Sequence, residues 1–154
     1  MLLQTHHQHP IQPGRRVVVV GLGKSGLAAA RFLHHLGAEV SVSEGAAHVA
    51  DEVTGWLREN NIFWETGGHS AELFLAADAI LVSPGVPLDL PVLHQARQHG
   101  IPVLGELALA PLYLKTPVVA LTGTNGKSTV TTLVGELFRA AGKRVFVGGN
   151  LGTP

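Results

Sequence analysis

Two glycine-rich segments, each entered from a β-branched or apolar run and each opening an apolar stripe at helical spacing, leave this chain little choice of fold. The first is Gly21-Leu22-Gly23-Lys24-Ser25-Gly26, which follows Val17–Val20 directly. An unbroken β-branched run of this kind belongs to a strand covered on both faces, as in a parallel sheet. Ala29, Phe32, Leu33 and Leu36 then fall at i, i+3, i+4 and i+7 and Gly37 stops the stripe, which predicts a helix over residues 25–36. The same reading predicts strands at 39–43, 62–65, 79–82 and 102–104, helices across 49–57 and 91–99, and a helical turn or two over 106–114 broken by Pro111. Strand and helix alternate throughout, so the expected class is α/β: a Rossmann-like parallel-sheet domain over 15–114 behind a polar leader at 1–14.

Lys115, Thr116 and Pro117 read as a linker, after which the pattern restarts. Residues 118–121 predict a strand. Thr122-Gly123-Thr124-Asn125-Gly126-Lys127-Ser128-Thr129 follows, then Val130, Leu133, Val134, Leu137, Phe138 and Ala141 at helical spacing, and a second strand at 144–147. This is expected to be the start of a P-loop α/β domain over 118–154, incomplete because two strands and one helix cannot cover a sheet on both faces. An uncovered stripe at Val130, Leu133, Leu137 and Phe138 favours homo-association.

The two loops carry the chemistry. In the first, Gly21 makes the tight turn, Gly23 lets a phosphate approach bare backbone, and Gly26 lets helix and strand pack closely. The free N–H groups at the helix start favour a diphosphate, with Lys24 adding charge. Glu44, at the end of the second strand, stands where dinucleotide-binding folds keep an acid for a ribose hydroxyl. In the second loop, the N–H groups around Gly123, Thr124, Asn125 and Gly126 would cradle ATP phosphates beside Thr129, Lys127 would reach the β and γ oxygens, and the Ser128 hydroxyl suits Mg²⁺. The strict P-loop pattern wants glycine where this chain has Leu121. Ser83-Pro84-Gly85 reads as a rigid turn, or as part of a ligand wall beside the first loop. Gly148-Gly149-Asn150-Leu151-Gly152 is either a loose end or a loop facing the P-loop.

Charge and composition remove other classes. Eleven Lys+Arg balance eleven Asp+Glu, so no diffuse cationic field exists for nucleic acid. No cysteine and no apolar run of membrane-spanning length fit a cytoplasmic protein with no membrane partner. Of the nine histidines, His6, His7 and His9 lie in the polar leader, and His34 with His35 and His94 with His99 miss the i, i+3 or i+4 spacing that places metal ligands on one helix face, so all nine are read as surface or packing residues.

Beyond this, the chain resembles the Mur ligases. The resemblance rests on Gly21–Gly26, Ser83-Pro84-Gly85, Gly105-Glu106-Leu107, the run Thr122–Glu136 and Gly148-Gly149-Asn150-Leu151-Gly152, and it covers nearly the whole sequence. The TGTNGKST segment alone would also admit folylpolyglutamate synthetase; GLGKSG favours the D-glutamate-adding branch. The resemblance implies that the first domain holds the UDP part of UDP-N-acetylmuramoyl-L-alanine. Lys24 and Ser25 would lie at the diphosphate, Glu44 and Gly45 near the uracil, Ser83 and Gly85 beside them, and Asn150 at the sugar-phosphate end. Where relatives carry hydroxyl and basic residues after the second-strand acid, this chain has Gly45 and Ala46. In that family ATP with Mg²⁺ converts the substrate carboxylate to an acyl phosphate, which the amine of D-glutamate attacks. Lys127 is the catalytic candidate; the D-glutamate site and the remaining Mg²⁺ ligands would lie outside these 154 residues, leaving the chain inactive alone. Two other classes stay open, a nicotinamide-dependent oxidoreductase domain and a non-catalytic nucleotide-binding module.

Overall fold

The computed structural model describes residues 11–109, 113–114 and 116–148. The chain divides into two compact units, 1–113 and 114–154.

In the first unit, β1 (Arg16–Val20), β2 (Glu39–Glu44), β3 (Phe63–Thr66), β4 (Ala79–Val82) and β5 (Val103–Gly105) form one sheet in the order β3-β2-β1-β4-β5. Every pairing is parallel, with Val19 opposite Val42 on one side and Leu81 on the other. The connections are α1 (Lys24–His35), α2 (Asp51–Glu59), α3 (Ala71–Leu75) and α4 (Pro91–Gln98), and a 3₁₀ turn (Glu106–Ala108) follows β5.

The four valines of β1 explain why the sheet is covered twice. Val17 and Val19 face a core built with Ala30 and Leu33 of α1 and Leu57 of α2. Val18 and Val20 point the other way, to Phe74 of α3 and Leu93 and Ala96 of α4. Side chains alternate faces along a strand, so a run with no polar residue can only satisfy both layers at once. Gly37 ends α1 as expected: at φ +81° it closes the helix, with its N–H on His34 O and that of Ala38 on Leu33 O.

The helix α3 was not anticipated. It is five residues long, too short for a helical stripe to show in the sequence, and Phe74 anchors it with no exposed surface. Of the helical turns expected over 106–114, the 3₁₀ segment forms and Tyr113 is helical, while residues 110–112 lie outside the described residues.

In the second unit, α5 (Lys127–Ala140) forms at the expected place, but the strands expected at 118–121 and 144–147 do not. A strand exists only through a ladder with a neighbour, and among the described residues neither segment has one. Val118 and Val119 are 57% and 60% exposed accordingly. The 144–147 segment still packs on α5: a Cβ at Gly135 would lie 2.5 Å from Val147 Cγ2. Val130, Leu133, Leu137 and Phe138 are all exposed.

Candidate functional site

The sheet order reverses between β1 and β4, since the chain runs from β1 outward to β3 and then returns to β4 on the far side. Open parallel sheets bind ligands at the carboxyl edge beside such a point. Both segments singled out for the first domain meet there. Ser83, just past β4, donates its N–H to Val20 O at 3.0 Å and its hydroxyl to Gly21 O at 3.2 Å.

The three glycines of the first loop divide the work. Gly21 has φ +91°, and a Cβ on it would strike Val86 Cγ2 at 2.8 Å. Gly26 is tighter: a Cβ would lie 1.9 Å from Gly21 O and 2.5 Å from Ser83 Oγ, so α1 starts in contact with the strand end. Around Gly23 there is nothing within 4 Å of such a Cβ. It is the N-cap of α1 and supplies no side-chain cap, so open space fronts the first N–H groups of that helix. Lys24 and Ser25 form the first turn. Gly85, at φ +91°, likewise has open space around it.

Glu44 reaches this loop, but its use differs from a free ribose acceptor. Oε2 accepts from Leu22 N at 2.5 Å and Oε1 from Ala46 N at 2.9 Å. The carboxylate ties the end of β2 to the glycine loop. Asn150 lies outside the described residues.

Two carboxylates escaped the sequence reading. Glu106 stands past β5, where burial pushes its carboxyl above the usual range against the opposing pull of the Ser83 and Ser25 hydroxyls. Its Oε1 is buried with no hydrogen-bond partner. The signal was only the Gly105-Glu106-Leu107 match, which carries no spacing that points to Ser25. Glu65 in β3 is the second. Burial pushes it up, but hydrogen bonds from the hydroxyls of Ser43 and Ser70 and from the Ser70 N–H outweigh that and hold its carboxyl below the usual range. A lowered carboxyl stabilises the fold fully above its unfolded value of about 4.3 and loses that contribution as the pH falls through the lowered one. Urea denaturation is therefore expected to show Glu65→Gln less sensitive than the parent to acidification from pH 7 to about 3.

The histidines are not alike. His34 packs edge-on against Trp56, and His99 bonds the Gln95 carbonyl within its own helix. His69 does more than fill the surface or packing role expected of all nine, because Nδ1 meets the fully buried Ser43 Oγ at 2.7 Å. Among the described residues, no group of three or more His, Cys, Asp or Glu is placed to hold a metal ion, and no helix is long and apolar enough to cross a membrane.

In the second loop the start of the helix is open. Gly126, at φ +73°, is the N-cap of α5 and has open space around it. Lys127 Nζ donates to the Gly123 and Thr124 carbonyls, the latter at 3.2 Å. The Thr131 and Thr132 hydroxyls are tied to carbonyls one turn back. Ser128 is exposed in the first turn, next to these helix-bound hydroxyls.

Comparison with known proteins finds relatives of this chain. Residues 15–105 match the family model of the Mur ligase MurD-like N-terminal domain. The chain is 54% identical over 142 residues to the UDP-N-acetylmuramoylalanine–D-glutamate ligase of Desulfosudis oleivorans, covering 91% of this chain and 31% of that protein. It is 49% identical over 143 residues to the same-named protein of Koribacter versatilis, covering 92% and 31%. Among solved structures, the UDP-N-acetylmuramate-alanine ligase MurC of Thermotoga maritima aligns with TM-score 0.55 at 29% identity, covering 88% of this chain and 32% of that one. The chain thus spans about a third of the length of the curated relatives it matches. With a family model matching residues 15–105 and relatives near half identity across nine-tenths of the chain, this protein belongs to the Mur ligase family, through its MurD-like N-terminal domain.

Proposed function

We propose that the first unit binds a UDP-linked substrate, UDP-N-acetylmuramoyl-L-alanine, with its diphosphate on the start of α1. The observation that carries this reading is the open space at Gly23 beside the closed approach at Gly26, at the point where the sheet order reverses. Lys24 and Ser25 take the diphosphate, Ser83 and Gly85 line the far wall, and Glu44 with Gly45 stands toward the base. The names of the curated relatives support the substrate.

The same reading makes 118–154 the start of an ATP-binding domain. The open N-terminus of α5 at Gly126 and the exposed Ser128 hydroxyl fit a triphosphate with Mg²⁺, and Lys127 carries the positive charge. Bound Mg²⁺ neutralises charge on the phosphates. In the whole enzyme the γ-phosphoryl group passes to the substrate carboxylate and ADP leaves. The amine of D-glutamate then attacks the carbonyl carbon, phosphate leaves, and the nitrogen gives up a proton. The chain spans about a third of the length of these relatives, and the steps assigned to it here are the binding of the UDP-linked substrate and of ATP.

Calorimetry with UDP and NADH tests the first step. UDP is expected to bind and Gly23→Val to abolish that binding without unfolding the chain, because the added side chain fills ligand space only. NADH binding more tightly than UDP would overturn the reading in favour of a nicotinamide-dependent domain.

A further inference from the structure

Next to Glu44, at the carboxyl ends of β2 and β3, four polar side chains form a chain of hydrogen bonds that leads to one unused nitrogen. Glu65 receives Ser43 Oγ at 2.6 Å and Ser70 N at 2.9 Å on Oε1, and Ser70 Oγ at 2.5 Å on Oε2. A carboxylate held below its usual range only accepts, so the single Ser43 proton points to Glu65. Ser43 Oγ then has only lone pairs for His69 Nδ1, 2.7 Å away, and Nδ1 must carry a hydrogen. In the neutral ring this leaves Nε2 as an acceptor. Phe74 holds the imidazole from the side, ring centroids 5.8 Å apart and planes at 73°.

Nε2 lies 3.4 Å from where a Cβ on Gly45 would stand, and among the described residues it has no hydrogen-bond partner. Gly45 has an ordinary backbone, so what its missing side chain provides is room. A nucleotide with its phosphates on the first glycine loop puts its ribose beside the β2 acid and its base beyond, which is the direction of Gly45 and His69. We propose that His69 is the base-reading residue of this site, accepting through Nε2 the N3–H of a uracil, with Ser43 and Glu65 as positioning residues that fix its tautomer. The inference rests on the UDP reading above and adds the group that selects the base. Uracil presents an N–H at N3, whereas cytosine presents a lone pair there, so the arrangement favours UDP over CDP. It also offers a nitrogen ligand at the place where Gly45 and Ala46 supply none.

Calorimetry of the 154-residue chain with UDP, CDP and inorganic pyrophosphate tests this. The parent is expected to prefer UDP. His69→Ala is expected to lose about 5- to 10-fold in UDP affinity, the range of one hydrogen bond, to bring UDP and CDP to near equality, and to leave pyrophosphate binding unchanged. His69→Gln, which keeps an acceptor, is expected to recover part of the preference. The ¹⁵N shifts of the ring read the tautomer independently, with the proton expected on Nδ1 in the parent and no longer fixed there in Ser43→Ala. A UDP preference untouched by His69→Ala, or a proton on Nε2 in the parent, overturns the role of His69 alone. Failure of the parent to bind UDP overturns the underlying reading as well.

Discussion

Gly26→Ala is expected to destabilise the chain by about 3 kcal/mol or more, although alanine is the better helix former by about 1 kcal/mol. The two effects oppose each other, and the contact distances decide between them. The new Cβ would stand 1.9 Å from the Gly21 carbonyl oxygen, a backbone atom fixed by the end of β1, and 2.5 Å from Ser83 Oγ, which is itself bonded to that oxygen. Neither can yield without lifting α1 from the sheet edge, and α1 supplies Ala29, Ala30 and Leu33 to the core. Overpacking of this kind commonly costs 1–3 kcal/mol, and more where the obstacle is backbone. Gly23→Ala makes the matching control. Its φ of −62° and ψ of 179° suit any residue and its Cβ meets nothing within 4 Å, so stability is expected to stay within about 0.5 kcal/mol of the parent. Urea denaturation of both variants separates a glycine kept for packing from one kept for a ligand. Equal stability of Gly26→Ala and the parent would mean that helix and strand do not approach this closely.

That contrast also marks what could be read in the sequence. Val17–Val20 announced a doubly covered strand because period-two alternation cannot accommodate four apolar residues any other way, and the two cores divide them two and two. The glycine spacing likewise announced a close approach at Gly26, since the requirement is local to one strand-turn-helix unit. What the sequence could not show was anything that depends on pairing across distance. Residues 118–121 have strand composition, but composition supplies no neighbour, and without a ladder the segment joins no sheet among the described residues and stays exposed. His69 looked like any other histidine in a loop, since Ser43 and Glu65, which orient it, lie 26 and four positions away on two different strands. Glu44 was placed at the right edge, yet its engagement with Leu22 N depends on a loop conformation that no spacing rule contains.

Lys127→Ala is expected to weaken ATP binding by about 10- to 100-fold, the effect of losing a charged donor worth 1.5–3 kcal/mol. In the chain, Nζ is turned inward on the carbonyls of Gly123 and Thr124, within the curve of the loop whose N–H groups and helix start would meet a triphosphate. Binding needs only a change of side-chain rotamer to exchange those neutral acceptors for phosphate oxygens, which are stronger ones. Removing the ammonium leaves two exposed carbonyls that water can satisfy, so folding stability is expected to move by less than about 0.5 kcal/mol. Lys127→Arg is expected to fall between the two, keeping the charge but spreading it over a planar fork that does not fit the same curve. UDP, which is proposed for the first glycine loop, is expected to bind Lys127→Ala as it binds the parent. Calorimetry with ATP and Mg²⁺, run beside a UDP titration on the same sample, reads both. ATP affinity that survives Lys127→Ala unchanged would remove this loop from ATP binding, while a parallel loss of UDP affinity would mean that both nucleotides use one site.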